Sequence, residues 1–120
     1  MNVEYVGRHV RLNQEIREFA ERKLRKVIKF LEEPVEVRIT LEEEKHREIV
    51  EVHIAHRFGV LQAREQTDAL LDALNLAVDK LETQARRARK KFMDRRRRGD
   101  RAAAGTAVPE EESTGQGDSG

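Results

Sequence analysis

The chain has 120 residues, of which 39% are Asp, Glu, Lys or Arg, 38% are hydrophobic and 4% aromatic; it has no cysteine and a formal net charge of +1. That length holds one domain with or without a tail, and the charged fraction is well above the ~25% of an ordinary globular domain. Disulfides, thiol nucleophiles and thiolate metal sites are excluded; no apolar run approaches the ~18 residues of a membrane span; and Met1-Asn2-Val3-Glu4 lacks the basic opening of a secretory signal, so a cytoplasmic protein is expected.

Residues 2–6 alternate up to Gly7 and predict a short first strand. Asn13 is placed to cap a helix whose apolar positions Ile16, Phe19, Ala20, Leu24, Val27, Ile28 and Leu31 recur at three and four residues. Pro34 ends that helix, because the residue before a proline is pushed out of helical geometry. Val35, Val37, Ile39 and Leu41 then alternate with Glu36, Arg38, Thr40 and Glu42, which predicts a strand with one dry and one wet face. Residues 43–47 read as a polar hairpin loop, Val50 to Ala55 as a third strand, 57–59 as a turn and Val60 to Glu65 as a fourth strand. Thr67-Asp68 caps a second helix with the stripe Leu70, Leu74, Ala77, Val78, Leu81, Ala85, Ala88 and Phe92, expected to run to about Arg98, where Gly99 breaks it.

The fold class expected is therefore α+β, in the order β-α-β-β-β-α, a four-stranded sheet with both helices on its one apolar face. The first pair of strands, joined through a helix, is expected to be parallel and the rest an antiparallel meander. Residues 1–98 form the domain, and 99–120, without periodicity and rich in Ala, Gly, Glu and Ser, are expected to be a disordered acidic tail.

Charge is unevenly spread along this frame. Residues 1–85 carry 14 Lys/Arg against 17 Asp/Glu, residues 86–101 carry 10 against 2, and residues 102–120 carry none against 4. A basic block of that density points to a polyanion. Nine bases within residues 86–98 also exceed what a helix terminus needs to balance its dipole.

Enzymatic chemistry lacks its parts. The only serines, Ser113 and Ser119, are in the tail; Gly7 and Gly59 are the only glycines before Gly99, so no phosphate-cradling loop exists. His53 and His56 have ligand-like spacing, but an odd offset on a strand turns them to opposite faces, so no metal is expected there. Glu42-Glu43-Glu44 reads as a solvated turn. No enzyme activity, cofactor or small-molecule substrate is expected.

The cations that remain are Arg22, Lys26 and Lys29 on the polar side of the first helix, and Lys80, Arg86, Arg87, Arg89, Lys90, Lys91 and Arg95 to Arg98 on the second. Lys23 falls inside the apolar arc of its helix, either snorkelling to water or looking into the groove between the helices. In the second case Lys23, Lys26, Arg87 and Lys91 are expected to line one cationic channel, with Lys80, Arg87 and Lys91 on one flank of the second helix and Arg86 and Arg89 on the other. Such a channel binds phosphates and reads shape more than sequence. Four of the five aromatics, Phe19, Phe30, Phe58 and Phe92, sit in helix stripes or a turn, so no exposed stacking platform is expected, and folded RNA suits the site better than sequence-specific single strands.

Residues 1–10, with Ile16-Arg17-Glu18-Phe19 and Lys23-Leu24-x-Lys26, resemble the opening of the ribosome hibernation-promoting factors, the group that includes protein Y. Val50-Glu51-Val52-His53-Ile54, Ala63-x-Glu65-x-Thr67-Asp68, and Asp79-Lys80-Leu81-Glu82-x-Gln84 with the following Arg86-Arg87-x-Arg89-x-Lys91 resemble the later elements of that family, so the likeness covers residues 1 to about 92. It implies a double-stranded-RNA-binding-like fold and binding to the small ribosomal subunit and its ribosomal RNA, in the channel for messenger and transfer RNA. It also implies silencing of ribosomes in stationary phase or stress, either by pairing ribosomes or by locking single ones. Lys23, Lys26, Lys80, Arg86, Arg87, Arg89 and Lys91 match the family's basic positions, and with Arg8, Arg22, Lys29 and Lys90 they make up the expected RNA-binding set. Ala69-Leu70-Leu71 stand where the family often has Asp-Met-Tyr, and the Arg95–Arg98 run is not a family signature. The alternative is a regulatory protein-interaction module such as a sigma-factor modulator, which would lean on apolar anchors. Off the ribosome a monomer is expected.

Overall fold

In a computed structural model, the backbone of residues 1–103 and the side chains of residues 1–97 are described. The chain falls into two units, Met1–Arg89 and Lys90–Gly120. The elements run β1 (Asn2–Arg8), α1 (Gln14–Ile28), β2 (Glu36–Glu44), β3 (Arg47–His56), β4 (Gly59–Thr67) and α2 (Leu70–Ala103).

One sheet holds the strands in the order β1-β2-β3-β4. β1 lies parallel to β2 with Val3 opposite Val37 and Tyr5 opposite Ile39. The other pairs are antiparallel, and the register aligns Ile39, Val52 and Ala63 across three strands. Because side chains alternate along a strand, this register gathers Val37, Ile39, Leu41, Val50, Val52, Ile54, Leu61 and Ala63 on one face, all buried. Ile16, Ala20, Leu24 and Val27 of α1 and Ala73, Leu74, Ala77, Val78, Leu81 and Ala85 of α2 complete the same core cluster. Both helices therefore cover the one apolar face, and the α+β class and element order are as expected.

Several boundaries differ, each for a local reason. β1 continues through Gly7 to Arg8. Gly7 is held there by crowding, since a Cβ would stand 2.8 Å from the carbonyl oxygen of Val10. α1 ends at Ile28, well short of Pro34. The next residues wind tighter, with Phe30 and Leu31 donating to the carbonyls three residues back at 3.0 and 2.9 Å. The polar hairpin shrinks to Lys45-His46, whose φ values of 49° and 67° are those of the mirror-image turn that matches strand twist. α2 runs through Gly99 to Ala103. A glycine in a helix costs only ~1 kcal/mol relative to alanine, and the helix formers Arg95 to Arg98 before it and Arg101 to Ala103 beyond Asp100 outweigh that. From residue 104 onward the expected tail lies outside the described residues.

Candidate nucleic-acid interface

The phase of α1 is set at its start. Asn13 is extended, with φ −135° and ψ 174°, and its Oδ1 accepts from the Ile16 N–H at 2.8 Å, satisfying one of the donors a helix start leaves free. With that phase, one flank of α1 faces β1. The Tyr5 hydroxyl donates to Glu21 at 3.1 Å, and the Arg17 guanidinium lies 4.8 Å from the Tyr5 ring centre. Burial first, then the Glu21 carboxylate, push the Tyr5 phenol up to about 12, against the opposing pull of Arg17.

The opposite flank of α1 carries Phe19, Lys23 and Lys26, spaced by four and three residues. Phe19, Lys23 and Phe30 are half-buried and Lys26 is exposed. The Arg22 guanidinium and the Lys23 ammonium lie 5.6 and 5.5 Å from the centre of the Phe19 ring. The Phe30 ring has two cations against it: Lys29 at 5.3 Å and, from α2, Arg86 at 5.2 Å. The second contact shows which side of α2 meets α1. It is the side of Glu82, Arg86 and Arg89, where Glu82 also accepts from Arg86 at 2.8 Å.

The other flank of α2 lies along the edge strand. Gln84 donates to the carbonyl of Gln62 at 2.8 Å and accepts from its N–H at 3.2 Å, standing in for the missing next strand. Lys80 forms an ion pair with Glu65 of the same strand. Arg87 follows Gln84 by three residues and shares its flank.

By helical phase, the flank of α1 with Lys23 and Lys26 and the flank of α2 with Arg86 and Arg89 form the two walls of the trough between the helices, with the Arg86–Phe30 contact across it and Arg22 and Lys29 further round α1 toward solvent. The expectation that Arg87 joins Lys23 and Lys26 is corrected: it shares the β4 flank with Lys80. Lys90 and Lys91 belong to the second unit, where both are exposed. Arg8 is on the open face of the sheet, in a shallow depression shared with Glu4, Glu36, Arg38, Glu42 and His53. Charges there interleave; Arg38 donates to Glu4 at 3.2 Å with both side chains mostly exposed.

Phe19 and Phe30 are the residues that sequence reasoning assigned to core stripes alone. Their second role, as faces against which cations rest, is worth about 0.5–1 kcal/mol per exposed pair. The spacing of Phe19 to Arg22 and Lys23 was a usable signal; the reach of Arg86 to Phe30 was not, since it crosses between elements. Among the described residues no three His, Asp or Glu gather to hold a metal ion, and no helix is long and apolar enough to cross a membrane. What the trough offers is fixed positive charge.

Known proteins resemble this arrangement. Residues 3–93 match the family described as Sigma 54 modulation protein / S30EA ribosomal protein. The ribosome hibernation promotion factor of Deinococcus radiodurans is 29% identical over 98 residues, a stretch covering 78% of this chain and 51% of that protein. The chain thus spans about half the length of that curated relative. The crystal structure of the Thermus thermophilus Protein Y N-terminal domain superposes with a TM-score of 0.69 at 26% identity, over 72% of this chain and 98% of that one. A ribosomal subunit interface protein from Coxiella burnetii has the same fold, with a TM-score of 0.65 at 22% identity over 75% and 99%. The family match extends over most of the chain and takes in both helices of the trough, and the chain belongs to the Sigma 54 modulation protein / S30EA ribosomal protein family.

Proposed function

We propose that this chain is a non-catalytic ribosome hibernation factor. It binds ribosomal RNA of the small subunit, in the channel used by messenger and transfer RNA, and blocks translation by occupancy in stationary phase or stress. The observation that carries this reading is the trough: Lys23 and Lys26 of α1 face the Arg86 and Arg89 side of α2, and aromatic rings back the Lys23 and Arg86 heads. Family membership supplies the choice of the ribosome among polyanions, because the relatives carry hibernation and subunit-interface names.

Cations held in place by packed rings lose less freedom on meeting phosphate than cations on loose stems. Their contacts to phosphate carry no base information, which suits a channel recognised by shape. Lys80, paired to Glu65, and Arg87 beside it form a second, outer line of charge. No proton or group is transferred: the inhibitor works by filling space that substrates need.

Co-sedimentation with purified small subunits at rising salt tests the reading. About five phosphate contacts give a log–log slope of about −3 to −5. Binding that ignores salt, or an equal preference for large subunits, would overturn it.

A further inference from the structure

We propose that the helical stretch beginning at Lys90 is a second RNA-binding element, which sits in a groove of folded RNA bordered by phosphates on two sides. It rests on the preceding reading only for the choice of RNA among polyanions. The family match stops at residue 93, yet α2 continues to Ala103. Lys90, Lys91, Arg95, Arg96 and Arg97 are all exposed. At ~100° per residue these five positions surround the helix, with no gap between neighbouring cations wider than about 100°.

Simpler accounts of this charge fall short. Dipole compensation acts within the last turn, whereas Arg95 lies eight residues before Ala103 and Lys90 lies thirteen before it. A solvated helix face mixes signs, but Asp94 is the only acid among residues 90–97. A helix lying on a membrane needs an apolar stripe, and Phe92 and Met93 are the only large apolar residues from 90 to 103. The Phe92 ring has the Arg96 guanidinium 5.6 Å from its centre, so it supports a cation rather than a stacked base. Charge on every side, without an apolar face, suits phosphates arriving from two directions. Lys91 and Arg95, four residues apart, repel one another along the helix, and a bound polyanion relieves that repulsion.

The test uses the full chain and a blunt double-helical RNA of about 20 base pairs, the length of roughly two helical turns. Changing Arg95→Gln, Arg96→Gln and Arg97→Gln together is expected to weaken binding at least tenfold at about 50 mM salt and to make the salt slope shallower by about 2–3. Arg95→Lys, Arg96→Lys and Arg97→Lys together keep both helix and charge, and are expected to keep the slope. Lys23→Glu with Lys26→Glu is expected to release small subunits, which tests the trough apart from the second element. Unchanged affinity and slope in the glutamine triple, or loss of slope in the lysine triple, overturns the second element. Tighter binding to a DNA duplex of equal length overturns its assignment to RNA. If Lys23→Glu with Lys26→Glu still binds subunits, the trough reading fails and the duplex result stands on its own.

Discussion

The two faces of this sheet are built from alternate residues of the same strands, yet they differ in what holds them and in what they present. On the helix face Ile39, Leu41, Val52 and Ile54 are fully buried under two helices whose outer surfaces carry cations. On the open face Arg8 and Arg38 stand among Glu4, Glu36 and Glu42. The number of arginines and lysines on a surface therefore says little about polyanion binding; what decides is whether acids share the patch. In the trough, Glu82 is the acid that pairs with a cation, through Arg86, whereas on the open face Glu4, Glu36, Glu42 and Glu51 outnumber Arg8 and Arg38.

This contrast can be broken in order of effect. Ile39→Ala removes a side chain with no exposed surface and should cost about 2–5 kcal/mol in chemical denaturation. Its neighbour Arg38→Ala, on the other face, loses only an exposed ion pair with Glu4 and should cost about 0–1 kcal/mol. Equal losses would mean that both faces are structural. Next, Lys23→Glu with Lys26→Glu should weaken small-subunit binding about a hundredfold, at ~1.4 kcal/mol for each factor of ten. Arg8→Glu with Arg38→Glu should change it less than about threefold by the same measure; the reverse ranking would move the interface to the open face.

Tyr5→Phe removes the hydroxyl that donates to Glu21 at 3.1 Å and should cost about 1 kcal/mol. An ultraviolet titration of the same residue should find its phenol near 12. The smallest effects depend on pH and have opposite signs. Burial lowers the pKa of His56, whose Nδ1 accepts from the Phe58 N–H at 3.3 Å. The neutral ring is the one the fold prefers, so its stabilisation is full above the ordinary range near 6.5 and is lost as pH falls through the lowered value. His56→Asn should therefore flatten the fall in melting temperature between about pH 7 and 5. Glu48 is raised by burial and by the facing Glu43. The fold prefers its protonated form, and that stabilisation, present below 4.5, is lost as pH rises through the raised value. Glu48→Gln should thus melt slightly higher than the parent at neutral pH and lose that advantage in acid.

The sequence announced the sheet more clearly than the site. Alternation from Val35 to Leu41 and from Val50 to Ile54 indicated strands, faces and pairing, because period two has a single reading when one face is dry. Turn chemistry hid how tight the hairpin is, not the hairpin itself: Lys45 and His46 take positive φ without a glycine or asparagine to signal a two-residue turn. The end of α1 was blurred because Ile28 and Leu31 still pack against the core after the helix has tightened. In the site, helical phase separated the flanks of α2 correctly. Both flanks are basic, however, and only contacts between elements, Arg86 to Phe30 and Gln84 to Gln62, reveal which one faces α1. Arg8 lost its face when β1 was read as ending at Gly7; one more residue of strand places it opposite the helices.

The most direct measurement is lysine acetylation, read by mass spectrometry, of the free chain and of the chain bound to small subunits. Lys23 and Lys26 should become protected in the complex, while Lys45 in the β2–β3 turn reacts as it does in the free chain. Protection of Lys45 with Lys23 and Lys26 left reactive would contradict the helix trough as the surface that meets RNA.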